Sequence, residues 1–184
     1  MSTKYKARTI GEAYFITITI VGWIDVFTRL GQKDILINAL KHCQKERGLE
    51  IYAYCIMSSH IHMLCKASEK EPLSNVMRDF KKYTSKKIIQ RILEYPESRR
   101  EWMLAYFKKS CAYLKRKQYY KVWQNGYHAE HIYSNSFIKQ KMNYIHNNPV
   151  TEKIVAQPED YVYSSARNYA ELDSELEIIK LEIF

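Results

Sequence analysis

Hydrophobic and polar positions alternate from Tyr14 to Val21. Tyr14, Ile16, Ile18 and Ile20 fall on one face and Phe15, Thr17, Thr19 and Val21 on the other, the period-two pattern of a β-strand. The period changes between Gln32 and Arg47, where Ile35, Leu36, Ala39, Leu40 and Cys43 recur at helical spacing before Gly48, predicting a helix closed by glycine. Leu49 to Met57 and His60 to Ala67 read as strands joined at Ser58-Ser59, a hairpin. Leu73 to Leu93 follows as a long helix with Ser74 as N-cap and Met77, Phe80, Thr84 and Ile88 on its apolar stripe. Ser98 to Tyr120 reads as mostly helical, Lys121 to Ile132 as extended with a bend at Gly126. A further helix is predicted from about Ser136 to Asn147, capped by Ser134 or Asn135 and stopped by Pro149. The tail from Glu159 adds a short helix. The succession predicts an α+β, ferredoxin-like antiparallel sheet with helices mainly on one face.

The 184 residues suit one domain, with a basic helical insert at about 94–121. An apolar content of 46% with only 5 Gly and 4 Pro is that of an ordered globular chain. The longest apolar run, Tyr14 to Ile24, falls far short of the ~20 residues of a membrane span. The N-terminal residues lack the apolar core of a signal peptide. Cys43, Cys55, Cys65 and Cys111 form neither a C-x-x-C pair nor a zinc spacing, which implies buried thiols and a reducing cytoplasm.

Charge matters once it is located. From Arg78 through Lys121 fourteen Lys/Arg face four acidic residues, a balance of +10 in a chain whose total is +9. So regional an excess marks a polyanion surface. Lys81, Lys82, Lys86, Lys87, Lys115, Arg116 and Lys117 are the candidate phosphate contacts. Trp123, Tyr127, Tyr119 and Tyr120 stand beside lysines, where they can either stack on unpaired bases or pack internally. Gln124 can hold a turn or touch the substrate.

The sharpest local signal is His60-Ile61-His62 within a strand. Alternation places both imidazoles on one face, where they can share a divalent cation or be two hydrogen-bonded surface histidines. Tyr144 and Asn148, at i and i+4 on the last long helix, share a face distinct from the stripe of Ile138, Met142 and Ile145. A phenol there can reach a metal-held phosphate, with the Asn148 carbonyl as a further oxygen ligand.

The run Tyr54 to Leu64 that contains His60-Ile61-His62 resembles the HUH strand of REP-associated tyrosine transposases and related IS200-like transposases. Val122-Trp123-Gln124-Asn125-Gly126-Tyr127 resembles their W-Q element. Tyr144 to Val150 resembles their Y-I-x-x-N-P-V helix end, and Pro158 to Ala166 their ending. The similarity runs in order from about Ala13 to Tyr169. Two departures are Ser58-Ser59, where the family often has Pro-Asn, and an insert longer than in compact members.

The resemblance implies the HUH endonuclease fold, with His60, His62 and Asn148 as ligands of Mg²⁺ or Mn²⁺ and Tyr144 as nucleophile. It implies single-stranded or hairpin (REP-like) DNA as substrate, a 5′-phosphotyrosine intermediate, and a cytoplasmic monomer or homodimer. The two imidazoles suit Mn²⁺ better than Mg²⁺, which prefers oxygen. A free phenol ionises near pH 10, so neighbouring positive charge must favour the phenolate. The rival reading is a noncatalytic or domesticated DNA/RNA hairpin-binding protein, which accounts for charge and aromatics but not for His60, His62, Tyr144 and Asn148 together.

Overall fold

Strand β1 (Ala13–Thr19) lies inside a four-stranded sheet, paired on one side with β3 (His60–Lys66) and on the other with β4 (His128–His131). β2 (Glu50–Ile56) completes the order β2-β3-β1-β4, and every pair is antiparallel. The computed structural model describes residues 9–69, 71–112 and 118–182. Met57 N–H donates to the His60 carbonyl at 2.9 Å and closes the β2–β3 hairpin around Ser58-Ser59.

Helix α1 (Leu30–Arg47) connects β1 to β2, and α2 (Leu73–Glu94) with α3 (Arg100–Lys109) connects β3 to β4. Helix α4 (Asn135–Thr151) follows β4, and the short α5 (Ala166–Tyr169) comes near the end. Strand order and succession are those of the ferredoxin-like plait. α1 ends where Gly48 takes φ +61° and its N–H bonds the Cys43 carbonyl, a left-handed cap that glycine adopts without steric cost.

The two faces of β1 do different work. Ile16, Ile18 and Ile20 are fully buried, each stabilising the fold by about 1.5–3 kcal/mol. On their side the indole of Trp123, bridged to Ile20, meets Phe27 and Phe80 of α2. Phe15, Thr17 and Thr19 lie opposite Leu64, His62 and His60, so the histidine pair belongs to the other face. α4 crosses that face, where Phe15 meets the ring of Tyr144.

Three boundaries differ from expectation. α2 begins at Leu73 with Pro72 at its N-cap, so Ser74 already lies inside the first turn and caps nothing. Helix α3 spans only Arg100–Lys109 before the chain turns, so the helical reading of Ser98 to Tyr120 was too long. Residues Lys115, Arg116 and Lys117 lie outside the described residues. α4 runs through Pro149 to Thr151; in the last turn a proline removes only one amide donor, and its own carbonyl still accepts from Ile154 N–H at 2.8 Å. Ser134 is the α4 cap, its hydroxyl accepting from Phe137 N–H at 3.2 Å. The four cysteines are free and buried. Among the described residues no helix is long and apolar enough to cross a membrane.

Candidate active site

Alternation along β3 sends Ile61 and Met63 into the core, both fully buried, and leaves His60 and His62 side by side with ring centroids 4.6 Å apart. The antiparallel register sets Thr17 opposite His62, and their Oγ1 and Nδ1 atoms are 2.8 Å apart. The Ser59 hydroxyl oxygen lies 3.1 Å from His60 Nδ1. Both rings are thus held through Nδ1. His62 is 4% exposed, and its Nε2 is buried without a hydrogen-bond partner.

Burial pushes the His62 pKa down to about 3, with the neighbouring His60 and Lys141 adding to the effect. Burial also lowers His60, opposed by the Glu152 carboxylate just beyond α4. Both imidazoles are therefore neutral at physiological pH, the state in which a histidine can ligate a metal.

Tyr144 completes the cluster from α4. Its ring lies 5.1 Å from that of His62 and 5.9 Å from that of Phe15, edge-on to both, and the residue is 49% exposed. A side chain packed on one side and open on the other is suited to meet an incoming ligand. Asn148 stands one turn farther along α4, half-buried and on the same helix face. Lys141, one turn before Tyr144, places its ammonium 4.4 Å from the centre of the Phe15 ring and 2.8 Å from Glu130. Among the described residues no group of three or more His, Cys, Asp and Glu gathers. An orphaned buried Nε2 and two Nδ1 atoms held by hydroxyls fit a divalent cation.

The basic region forms a separate surface. A groove of about 1060 Å³ runs between α2 and residues 118–127, lined by Arg78, Lys82, Lys86 and Lys121 among others. Lys81 reaches into it but donates to the carbonyls of Gln124 (2.8 Å) and Gly126, so its ammonium ties the loop to α2. Lys87 contacts Gln90 at 3.4 Å and does not line the groove. Trp123 is 4% exposed, and its indole N–H donates to Thr84 Oγ1 at 3.0 Å; the stacking alternative at this residue gives way to internal packing. Gln124 is exposed, with its backbone N–H on the Thr19 carbonyl at 2.9 Å.

His146, His131 and His128 serve the fold. His146 Nε2 is 2.8 Å from the Ser165 hydroxyl, and burial holds its pKa down at about 4. His131 pairs with Glu12 and His128 with Glu130 at the surface. The site residues that sequence reasoning missed are Thr17, Ser59 and Glu152.

A ferredoxin-like plait carrying two neutral histidines on a central strand and a tyrosine on the crossing helix defines an HUH-type architecture. The sequence profile described as "Transposase IS200 like" matches residues 24–115, and the chain belongs to that family of transposases. Its fold is that of a solved REP-associated tyrosine transposase bound to a REP hairpin: TM-score 0.66 and 21% identity, covering 100% of this chain and 95% of that one. A candidate transposase from Deinococcus radiodurans R1 is more distant, with TM-score 0.43 and 17% identity, covering 79% of this chain and 97% of that one. No curated protein matches the sequence.

Proposed function

We propose that the chain cleaves and rejoins single-stranded DNA beside hairpin-forming, REP-like sequences, with Tyr144 as nucleophile and His60, His62 and Asn148 holding Mn²⁺ or Mg²⁺. The observation that carries the reading is the approach of the Tyr144 ring to within 5.1 Å of His62, itself 4.6 Å from His60, although His62 and Tyr144 are 82 residues apart in sequence.

The residues divide the work. Thr17 and Ser59 fix the ring orientations, and by accepting a hydrogen bond from each Nδ1–H they leave the Nε2 lone pairs for ligation. Burial keeps His62 unprotonated, so no proton has to be displaced from it. A bound divalent cation supplies charge neutralisation on the phosphate oxygens. Phe15 and His62 hold the Tyr144 ring by its edges. The phenolic oxygen, its proton lost to solvent, forms a bond to phosphorus while the bond to the 3′ oxygen breaks, and that oxygen takes up a proton. The product is a 5′-phosphotyrosine and a free 3′-hydroxyl. The covalent bond conserves the energy of the phosphodiester, so attack by a 3′-hydroxyl rejoins DNA without a nucleotide cofactor. Arg78, Lys82 and Lys86 along the groove are the phosphate contacts that hold the DNA.

The test is incubation of end-labelled hairpin DNA bearing single-stranded flanks with Mn²⁺ and protein, followed by denaturing electrophoresis. Wild type should give a labelled covalent adduct and Tyr144→Phe none. An adduct that persists in Tyr144→Phe rejects the nucleophile. Tight hairpin binding with no adduct, across a library of flanks, supports a domesticated binder instead.

A further inference from the structure

The surface beside the histidine pair carries a feature that the cleavage chemistry does not use. Helix α3 buries Met103 and Phe107 and turns Trp102 and Tyr106 outward, 54% and 37% exposed, with ring centroids 6.1 Å apart. Their i, i+4 spacing puts them on one face, which Lys109 extends at i+7. Solvent-facing positions of a helix ordinarily carry polar side chains. Here two large aromatics and a lysine occupy the stripe.

The stripe leads to the site. Gly22, which follows β1, adopts φ +63°, and a Cβ there would collide with the phenol of Tyr106. Tyr106 thus lies against the backbone of Gly22. The next residue, Trp23, is also left-handed, at φ +56°, an uncommon conformation for a side chain of that bulk. It is 60% exposed, and its ring meets that of His60 at 5.4 Å and 73°. Backbone held in such a region is a pointer to function when the side chain it displays gains nothing from burial. Trp102 touches Tyr106, Tyr106 touches Gly22, and the adjoining Trp23 touches His60.

We infer that Trp102, Tyr106 and Trp23 form a stacking track for the unpaired bases that flank the scissile phosphate, with Trp23 as the platform nearest the site and Lys109 as a phosphate contact. The inference rests on the single-strand cleavage reading above and adds how the strand is led to the histidines. Exposed aromatic faces beside cations are what single-strand binders use, because every base has a π-face and the linking phosphates are negative. Continuity with His60 and the lysine on the same helix face favour single-stranded DNA as the occupant over a second copy of the chain.

The probe is fluorescein-labelled oligo(dT), titrated by anisotropy into the full chain in EDTA so that binding is read without cleavage. Trp23→Ala and Trp102→Ala should each weaken binding about 5- to 100-fold, while Trp23→Phe and Trp102→Phe, which keep a ring, should recover most of it. Trp23→Gly separates function from folding: at φ +56° glycine is at ease, so this variant should melt at or above the wild-type temperature and still bind poorly. The same adduct assay, run on a hairpin with a single-stranded flank, reads the cleavage reaction independently. Wild type that forms the adduct, with Ala variants binding oligo(dT) within twofold of it, overturns the track and leaves the cleavage reading intact. Wild type that binds through Trp23 yet never forms an adduct rejects cleavage and keeps the track. Conversion of a dimer to a monomer by Trp102→Ala, with oligo(dT) affinity retained, would assign this face to self-association and overturn the inference.

Discussion

Thr17→Val is the substitution that most cleanly probes how the site is held. Valine keeps the β-branch and nearly the volume of threonine, so β1 and its packing persist, and what is lost is the 2.8 Å contact to His62 Nδ1. Two costs follow. A half-buried hydrogen bond contributes about 1 kcal/mol to stability, which for a chain of this length lowers the melting temperature by about 2–4 °C. The larger effect falls on ligation: without the hydroxyl the Nδ1–H tautomer loses its acceptor, and an imidazole protonated on Nε2 cannot ligate a cation through that nitrogen. Loss of such an outer partner weakens metal affinity by about 10–100-fold, or about 1.4–2.7 kcal/mol. Protonation is not the route, since the His62 pKa lies at about 3, so the weakening should be equal at pH 6.5 and pH 8. Mn²⁺ titration by calorimetry, together with the Mn²⁺ dependence of adduct formation, measures it, and Thr17→Ser should stay near wild type. A Mn²⁺ affinity within twofold of wild type in Thr17→Val, accompanied by the expected drop in melting temperature, would refute the argument.

Acid should destabilise the fold through histidines kept neutral. His146 has a folded pKa of about 4 against an unfolded value near 6.5, so between those values the unfolded chain binds more protons. Its contribution, on the order of 3 kcal/mol, is complete above about pH 6.5 and is lost as pH falls toward 4; urea melts from pH 7 to 4.5 should show a slope that His146→Gln reduces by one proton, and an unchanged slope would contradict this. Thr84→Val removes the acceptor of the Trp123 indole N–H and should cost about 1–3 kcal/mol. Its oligo(dT) affinity should remain within twofold of wild type, because that indole is internal; a large loss of affinity in a folded variant would return Trp123 to the DNA surface.

What could be read in advance follows from the range of the forces involved. Strand alternation around His60-Ile61-His62 and helix periodicity at Tyr144 and Asn148 are local and could be read directly, whereas the meeting of the tyrosine ring with the histidine rings is a tertiary contact that only the family resemblance implied. Thr17 was not legible as a partner of His62, because it becomes one only through the pairing of β1 with β3, a register between segments 45 residues apart. Trp123 and Lys81 looked like ligand contacts because aromatic and cationic side chains have both internal and external uses. Burial decided the first, and two backbone carbonyls decided the second. The helical reading from Ser98 to Tyr120 extended too far because abundant basic and aromatic residues have no strong stop signal, whereas the chain leaves α3 after Lys109.

The loop at Gln124 to Gly126 is fastened twice, to α2 through the Lys81 ammonium and to the end of β1 through the Thr19 carbonyl, the residue facing His60. Groove and histidines therefore share a common rigid wall. On the proposed cleavage reading, a ligand anchored along α2 would be measured off against Tyr144 as if by a caliper, and the number of nucleotides between anchor and cut would be a property of the backbone. Changing that interval would require lengthening the loop, since no exchange of groove side chains would alter it.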